Sequence, residues 1–204
     1  LLEAMQEFAV TYAGVTHSLE RPFFIHATQN PIEQAGTFPL PEAQLDRFLL
    51  YIRIDYPTAQ EEHAILESTT GKKKNQVNKV IDGHKILDAQ KLVREVHIST
   101  DLINTVNLLV RSTRPDQTEV KFVKEWVRWG AGPRAGQAMI LTAKARALLK
   151  GRFAVIQEDI TQMAYPVLRH RILMNFKAEA DGIFADDVTR YLIEHVTASL
   201  RDTL

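Results

Sequence analysis

The fold is decided by the stretch ATQNPIEQAGTFPLPEAQLDRF, residues 27–48. It overlaps the end of the nearly all-apolar run FFIHAT at 23–28, which is typical of a strand buried on both faces of a parallel sheet. Residues 29–42 contain three prolines and one glycine, and this composition predicts a loop. Residues 43–49 are predicted to form a short helix. A strand, a loop and a helix in this order indicate an α/β domain.

The residues on either side continue this pattern. Before the stretch, residues 8–12 and 15–19 flank Ala13-Gly14 and predict a β-hairpin, in which the glycine supplies a positive φ. After it, residues 50–54 alternate between apolar and polar side chains, which predicts a strand exposed on one side. The chain opens within the helix-like stretch LLEAMQE, and we therefore expect it to be a fragment of a longer protein.

The remainder of the chain is predicted to be almost wholly helical. Asp88 and Ser99 are residue types that cap helix N-termini, and Pro133 suits a first helical position. The predicted helices are 58–68, 88–97, 99–112, 118–129, 133–150, 158–171 and 185–200. In the fifth of these, apolar residues at spacings of three and four predict one buried stripe, formed by Ala138, Leu141, Ala145 and Leu148.

The composition excludes several classes of protein. The 204 residues carry 25 basic and 25 acidic side chains and no cysteine. The lack of cysteine excludes a disulfide scaffold and a thiolate metal site, and it agrees with a reducing, cytoplasmic compartment. The neutral balance argues against binding driven mainly by nucleic-acid phosphates. The longest apolar run, residues 48–52, is far shorter than the roughly 20 residues of a membrane helix.

The distribution of charge predicts a domain boundary. Residues 1–55 carry seven acidic and three basic side chains, a net charge of −4. Residues 56–204 carry eighteen acidic and twenty-two basic side chains, a net charge of +4. Because the change of charge coincides with the change from an α/β to a helical pattern at Asp55-Tyr56-Pro57, we predict two domains, 1–56 and 57–204.

Asn30 and Arg47 are the first two candidates for a phosphate site. Asn30 follows the predicted strand, at the edge where open α/β sheets bind ligands, and it can donate to a phosphate or orient a water. The alternative is that Asn30 caps a turn before Pro31. On the short helix we expect Asp46 and Arg47 to face outward, opposite Leu45, Phe48 and Leu49. Arg47 then either reaches a phosphate of a neighbouring subunit or forms a weak ion pair with Asp46 or Glu42.

Arg134 is the third candidate, within Gly130-Ala131-Gly132-Pro133-Arg134. Glycines followed by proline mark the start of a helix, and a cation in the first turn opposes the helix dipole. Either an anion bridges Arg134 and the free amides, which makes a phosphate-sized site, or a carboxylate neutralises the arginine.

The seven histidines give no metal-binding pattern. His26 lies within the apolar strand, where a satisfied core residue is expected, and His170 lies between two arginines on a solvated or interdomain face. The chain contains no GxxxxGK[ST] phosphate loop, no HExxH and no Ser-His-Asp elbow.

The stretch 27–48 closely resembles the MoxR family of AAA+ ATPases. LLEAMQE resembles the helix that follows the family's Walker B segment, and residues 8–19 resemble the hairpin before sensor 1. GPRA at 132–135 resembles the sensor 2 motif, and PVLRHRI at 166–172 is similar to the family's lid. The resemblance implies the end of a P-loop AAA+ core, a parallel sheet with an inserted β-hairpin, followed by an all-α lid.

By this resemblance, each candidate acquires a role. Asn30 corresponds to sensor 1, which positions the attacking water against the γ-phosphate. Arg47 corresponds to the arginine finger, which acts in trans on the ATP of the adjacent subunit, and Arg134 corresponds to sensor 2. Ala35 stands where the family often has an acidic residue, so no role is assigned there.

The resemblance also implies cofactors and partners. ATP and Mg²⁺ are expected, with the Walker A and Walker B residues located before Leu1, so this chain alone is expected to be inactive. A homo-oligomeric ring, commonly a hexamer, is implied because the finger comes from a neighbour. The family remodels or matures partner complexes, often alongside proteins with von Willebrand factor A domains.

Two other functions remain open at this stage. Related ATPases with similar hairpins remodel DNA, but the hairpin here lacks a cluster of Lys or Arg. A non-catalytic interaction module is the second alternative, and a missing Walker A lysine in the preceding sequence would favour it.

Overall fold

The computed structural model describes residues 2–29, 40–71 and 77–201. Its helices are α1 (Leu2–Glu7), α2 (Glu42–Leu45), α3 (Ala59–Thr70), α4 (Gly83–Glu95), α5 (Thr100–Ser112), α6 (Lys121–Trp126), α7 (Pro133–Leu149), α8 (Gln157–Leu168), α9 (Phe176–Ala180) and α10 (Ala185–Arg201). Its strands are β1 (Ala9–Tyr12), β2 (Val15–Ser18), β3 (Val127–Trp129) and β4 (Leu173–Met174). None of the helices within these ranges has the length and apolar character needed to cross a membrane.

The predicted hairpin is confirmed. Strands β1 and β2 pair antiparallel, with Ala9 opposite Ser18 and Tyr12 opposite Val15. Gly14 has a φ of +80°, a conformation that glycine adopts without steric cost. The Ala13-Gly14 pair in the sequence therefore predicts the hairpin at the correct position.

The two other predicted strands of the first part are wrong. Residues 23–28 and 50–54 are not in strands, and most of their side chains are exposed or half-buried. A strand needs a neighbouring strand to pair with, and no strand in the described residues pairs with either segment. The predicted parallel sheet is accordingly not present in the ranges that the structure describes.

Most of the predicted helices are confirmed, and capping residues explain where they begin. Thr58 forms a capping box with Glu61, whose carboxylate accepts from the Thr58 N–H at 2.8 Å. Ser99 Oγ accepts from the Leu102 N–H at 3.3 Å at the start of α5. The prediction that Asp88 caps a helix is wrong, since α4 begins six residues earlier, where Asp82 accepts from the N–H of Lys85. Asp88 lies inside α4.

The helical part is not all-α as predicted. The helix expected over 118–129 ends at Trp126, and residues 127–129 form β3, which pairs antiparallel with β4. The helix expected over 158–171 ends at Leu168, and residues 169–172 turn back towards β4. A short two-stranded sheet therefore lies within the bundle.

The core is formed where α5, α7, α8 and α10 pack together. The buried face of α7 differs from the predicted stripe, of which only Ala138 is buried. The other buried residues of α7 are Ala135, Met139, Thr142, Ala143 and Ala147. The alanines among these positions let α8 approach α7 closely, Met139 fills the core, and Leu141 and Leu148 lie at the half-buried edge.

Candidate functional site

The loop 130–132 fixes the start of α7 against the end of α5. The N–H of Ala131 donates to Thr113 Oγ1 at 2.8 Å, and Arg114 Nε donates to the carbonyl oxygen of Ala131 at 2.9 Å. Gly130 passes so close to this turn that a Cβ would lie 2.3 Å from the Thr113 carbonyl oxygen. The loop therefore requires glycine at 130, and through it the first turn of α7 has a defined position.

Arg134 lies in this first turn, where no side chain caps the start of the helix. Pro133 has no N–H, and the N–H of Ala135 donates to the carbonyl oxygen of Gly132 at 3.0 Å. The Nη1 of Arg134 lies 3.4 Å from Oδ2 of Asp46, and half of the Arg134 side chain is exposed. A carboxylate partner, one of the two alternatives for this cation, is thus present. The contact is long and open to solvent, so it leaves donor groups of Arg134 free for an anion.

Arg47 lies in the turn after α2 and has unused donor capacity. Its Nε is buried and has no hydrogen-bond partner among the residues that the structure describes. Neither of the acids expected to pair with it does so: Glu42 pairs with Arg128 at 2.7 Å, and Asp46 pairs with other arginines. A buried N–H without an acceptor costs free energy, so an anionic partner from outside the described residues would stabilise Arg47.

The expected orientation of the short helix is wrong in part. Asp46, expected outward, packs against the helical bundle, while Leu49, expected in the core, is half exposed. The reason is that α2 ends at Leu45, so helical periodicity does not govern the residues that follow.

Three consecutive residues, Arg169, His170 and Arg171, hold the segment 46–51; we call them the 169–171 clasp. Arg169 donates to the carbonyl oxygen of Tyr51 at 3.0 Å and is itself held by Asp186 at 2.8 Å. The N–H of Tyr51 donates in return to the carbonyl oxygen of Pro166 at 2.8 Å. The clasp thus joins the N-terminal part of the chain to the end of α8.

Arg171 is the central member of the clasp, and its side chain is 2% exposed. It donates through Nε to Asp46 Oδ1 at 2.9 Å and through Nη2 to the carbonyl oxygens of Asp46 and Phe48 at 2.9 and 2.7 Å. It also donates to the carbonyl oxygens of Leu49 and Val167. Burial lowers the pKa of Arg171, and the hydrogen bond to Asp46 opposes that shift.

His170 is neutral in this setting. Burial, followed by the charge of Arg171, lowers the pKa of His170 from 6.5 to about 4. Because a carbonyl oxygen only accepts, the Nε2 of His170 carries the proton and donates to Phe48 at 3.1 Å. Its ring also stacks on Tyr51, with centroids 6.1 Å apart. The structure places His170 half-buried against segment 46–51.

Two other features complete the surroundings of the site. A groove of about 310 Å³ lies between α5 and α7, lined by Val106, Val110, Arg114, Pro133 and Gly136 among others, and it adjoins the first turn of α7. Within the described ranges no three His, Asp or Glu side chains are grouped closely enough to hold a metal ion. Asn30 lies outside the described residues.

The structure thus places Arg134 beside Asp46, the residue that precedes Arg47. The residues that make this connection, Asp46 and Arg171, were not singled out from the sequence. A signal for them existed, because the RHR triplet interrupts an otherwise apolar helix end and Asp46 adjoins a candidate arginine. Residues 125 positions apart could be linked only by the fold.

Two family models match this chain. Residues 1–50 match the model of the ATPase family associated with various cellular activities (AAA), and residues 121–191 match the AAA lid domain. The second match includes Arg134 and the 169–171 clasp, and the first includes Asn30 and Arg47.

Known relatives extend the similarity over nearly the whole chain. The chain is 38% identical to Chaperone MoxR1 of Mycobacterium tuberculosis over 96% of its length, which is 52% of that protein. It is 36% identical to the uncharacterized protein YeaC of Bacillus subtilis over 96% of its length, and 31% identical to Protein MoxR of Paracoccus denitrificans over 74%. It spans 59% of YeaC and 48% of the Paracoccus protein, so it covers about half the length of these relatives.

A solved structure shows the same fold. A protein from Cytophaga hutchinsonii, described as a candidate ATPase, superimposes with a TM-score of 0.88 at 36% sequence identity. The superposition covers 95% of this chain and 59% of the other.

Proposed function

Because this chain belongs to the MoxR family of AAA+ ATPases, we propose that it is the sensor and lid part of an ATPase that remodels partner proteins. Residues 1–56 then end the α/β core, and residues 57–204 form the lid. The Walker A lysine and the Walker B acids that hold Mg²⁺ lie in the part of the relatives that this chain does not cover.

The roles proposed for the three candidate residues are those that the resemblance to the family implies. Arg47 is the arginine finger, which stabilises the charge that develops on the γ-phosphate in a neighbouring subunit. Arg134 is sensor 2 and contacts the nucleotide from the lid, and Asn30 orients the attacking water. A ring, with six subunits as in the family's common form, supplies the neighbour that the finger requires. Proteins with von Willebrand factor A domains are the partners to test.

One observation carries this proposal best. Arg47 has a buried Nε without an acceptor in the described part of the chain, although two acids lie within five residues of it. A purely structural arginine would be expected to use those acids, because an unpaired buried donor is costly. An acceptor supplied by another molecule accounts for the arrangement.

The first experiment measures ATP hydrolysis by the complete protein after Arg47→Ala. We expect a loss of about 10³-fold, the range found for arginine fingers, with nucleotide affinity retained. The matched control is Arg53→Ala, which removes an exposed arginine paired with Asp55 at 2.9 Å in the same segment. The control is expected to change turnover by less than about twofold.

Mixed rings test whether the finger acts in trans. Arg47→Ala subunits and subunits with a substituted Walker A lysine are each inactive alone. When mixed, an intact finger meets an intact nucleotide site at some interfaces, so activity is expected to return. Mixtures that stay inactive, in rings of normal size, would show that Arg47 serves its own subunit or none.

Nucleic acid is the less favoured substrate. Arg21 is the arginine that follows the β1–β2 hairpin, and its guanidinium lies over the ring of Phe8, 4.3 Å from the centroid. It is not part of a basic cluster. Stimulation of ATP hydrolysis by DNA, with a steep dependence on salt, would reverse this order. If the preceding sequence lacks the Walker A lysine, an interaction module without catalysis becomes the better interpretation.

A further inference from the structure

Asp46 is shared between two arginines that differ in how firmly they are held. Its Oδ1 accepts from Arg171 at 2.9 Å, and its Oδ2 lies 3.4 Å from Arg134. The side chain of Arg171 is 2% exposed, whereas that of Arg134 is 50% exposed. One partner is therefore fixed in the protein, and the other can exchange.

Arg171 holds Asp46 in a single orientation. The same guanidinium binds both the carboxylate and the main-chain carbonyl oxygen of Asp46, the latter at 2.9 Å. It also binds the carbonyl oxygen of Phe48, so the turn that carries Asp46 cannot rotate independently. Oδ2 is thus presented towards α7 whether or not Arg134 occupies it.

A nucleotide γ-phosphate would compete with Asp46 for Arg134. The contact with Asp46 is a single long one, without the paired geometry of a strong arginine–carboxylate bridge. A terminal phosphate offers more charge and three acceptor oxygens, and the N-terminus of α7 adds a favourable dipole for an anion. We therefore expect Arg134 to leave the Asp46 carboxylate when such an anion is bound.

We propose that Asp46 is a positioning residue that holds Arg134 in a resting place, from which a nucleotide with a γ-phosphate displaces it. The inference rests on the proposed contact between Arg134 and ATP. It predicts a contribution to nucleotide selection, because ADP lacks the phosphate that competes with Asp46. Since Arg47 adjoins Asp46, the same contact links the two proposed phosphate-binding arginines of one subunit.

The test is Asp46→Asn in the complete protein. Asparagine has nearly the same shape and keeps an oxygen for Arg171, but it holds Arg134 less strongly. Affinities for a non-hydrolysable ATP analogue and for ADP are measured by calorimetry. We expect the analogue to bind about two- to fivefold more tightly, the range for an exposed ion pair, and ADP to bind as before. An unchanged ratio of the two affinities would overturn the inference.

A double-mutant cycle separates this role from a general effect of charge. In an Arg134→Gln background, Asp46→Asn is expected to leave both affinities unchanged, because there is no arginine to release. If the analogue still binds more tightly in that background, the effect is long-range electrostatics and the inference is wrong. Glu42→Gln is the matched control, since Glu42 lies on the same helix and pairs with Arg128 at 2.7 Å. It is expected to leave the ratio of affinities unchanged.

The same measurements distinguish failure of this inference from failure of the proposed function. If Arg134→Gln binds the analogue as well as the unaltered protein does, Arg134 does not contact the γ-phosphate. The role proposed for Arg134 and the resting place at Asp46 are then both refuted. If Arg134→Gln weakens binding but Asp46→Asn changes nothing, the proposed role of Arg134 stands and only the resting place is refuted.

Discussion

Asp159 is the most completely buried charge in the described structure, and two arginines satisfy it. Arg152 donates to its two oxygens at 2.7 and 2.6 Å, Arg146 donates to Oδ1, and the N–H of Ile156 donates at 3.0 Å. Burial alone would raise the pKa of Asp159, but these hydrogen bonds outweigh it and lower the pKa from 3.8 to about 2. The carboxylate therefore joins α7, α8 and the loop between them.

We predict that Asp159→Asn lowers the free energy of unfolding by about 3 kcal/mol at pH 7, because it leaves two arginines without their shared partner. Denaturant unfolding measures this. The native pKa is depressed, so the stabilisation is full above pH 4 and is lost as the pH falls towards 2. The difference between the unaltered protein and the variant should shrink over that interval.

The neighbouring Glu158 provides the control. It also binds Arg146, at 2.7 Å, but its side chain is 61% exposed. Glu158→Gln is expected to cost less than about 1 kcal/mol. Equal losses from the two substitutions would contradict the account of Asp159.

The residue scale also shows what the sequence could not reveal. Nothing in the pattern around Asp159 distinguishes it from the exposed Glu158 beside it, because both are acidic residues in the first turn of a helix. Arg134 was recognisable because a cation in a first turn after glycines and proline is locally unfavourable and so invites a partner. Local conflict is visible in a sequence, whereas a partner supplied by tertiary packing is not.

At the scale of elements, the loop into α7 depends on one glycine. Gly130→Ala would place Cβ 2.3 Å from the main-chain oxygen of Thr113, which cannot move without displacing the end of α5. We expect a loss of about 2 kcal/mol or more in the free energy of unfolding, measured with denaturant. Nucleotide binding by the complete protein should weaken as well, because the turn that carries Arg134 shifts.

Gly136 gives a control of opposite sign within α7. A Cβ there meets Val106 at 3.8 Å, an ordinary contact, and glycine inside a helix is destabilising. Gly136→Ala is expected to raise the free energy of unfolding by about 0.5–1 kcal/mol. If both variants lose stability alike, the close approach at Gly130 does not explain the first.

Elements were predictable to the extent that their stabilisation is local. Ser99 and Pro133 mark helix starts because caps and a fixed φ act within a single turn. Residues 23–28 and 50–54 have strand composition but no neighbouring strand in the described ranges, and composition cannot supply one. The short β3 and β4 escaped prediction because their pairing joins residues more than forty positions apart.

At the scale of the whole molecule, the 169–171 clasp is the main connection between the N-terminal segment and the bundle. Its three residues hold segment 46–51 mostly through main-chain carbonyl oxygens, and Arg171 also binds the Asp46 carboxylate. The sequence showed the RHR triplet and an interdomain alternative for His170, but only the fold shows which backbone it binds.

We predict that Arg171→Met detaches segment 46–51 while the bundle stays folded. Methionine fills similar volume but donates no hydrogen bond, so the Asp46 carboxylate and the carbonyl oxygens of Asp46, Phe48 and Leu49 lose their partner. Of the groups that Arg171 binds, the Val167 carbonyl oxygen is the one that belongs to a residue of the bundle core. Hydrogen exchange of the complete protein is expected to rise about 100-fold or more in peptides spanning 46–51 and to stay unchanged in α7.

Arg190→Met, which removes an exposed arginine paired with Asp187 at 2.8 Å, is the control and should leave both regions protected. Protection that persists at 46–51 after Arg171→Met would mean that other contacts hold the segment; loss of protection in α7 as well would mean that the two parts unfold as one unit.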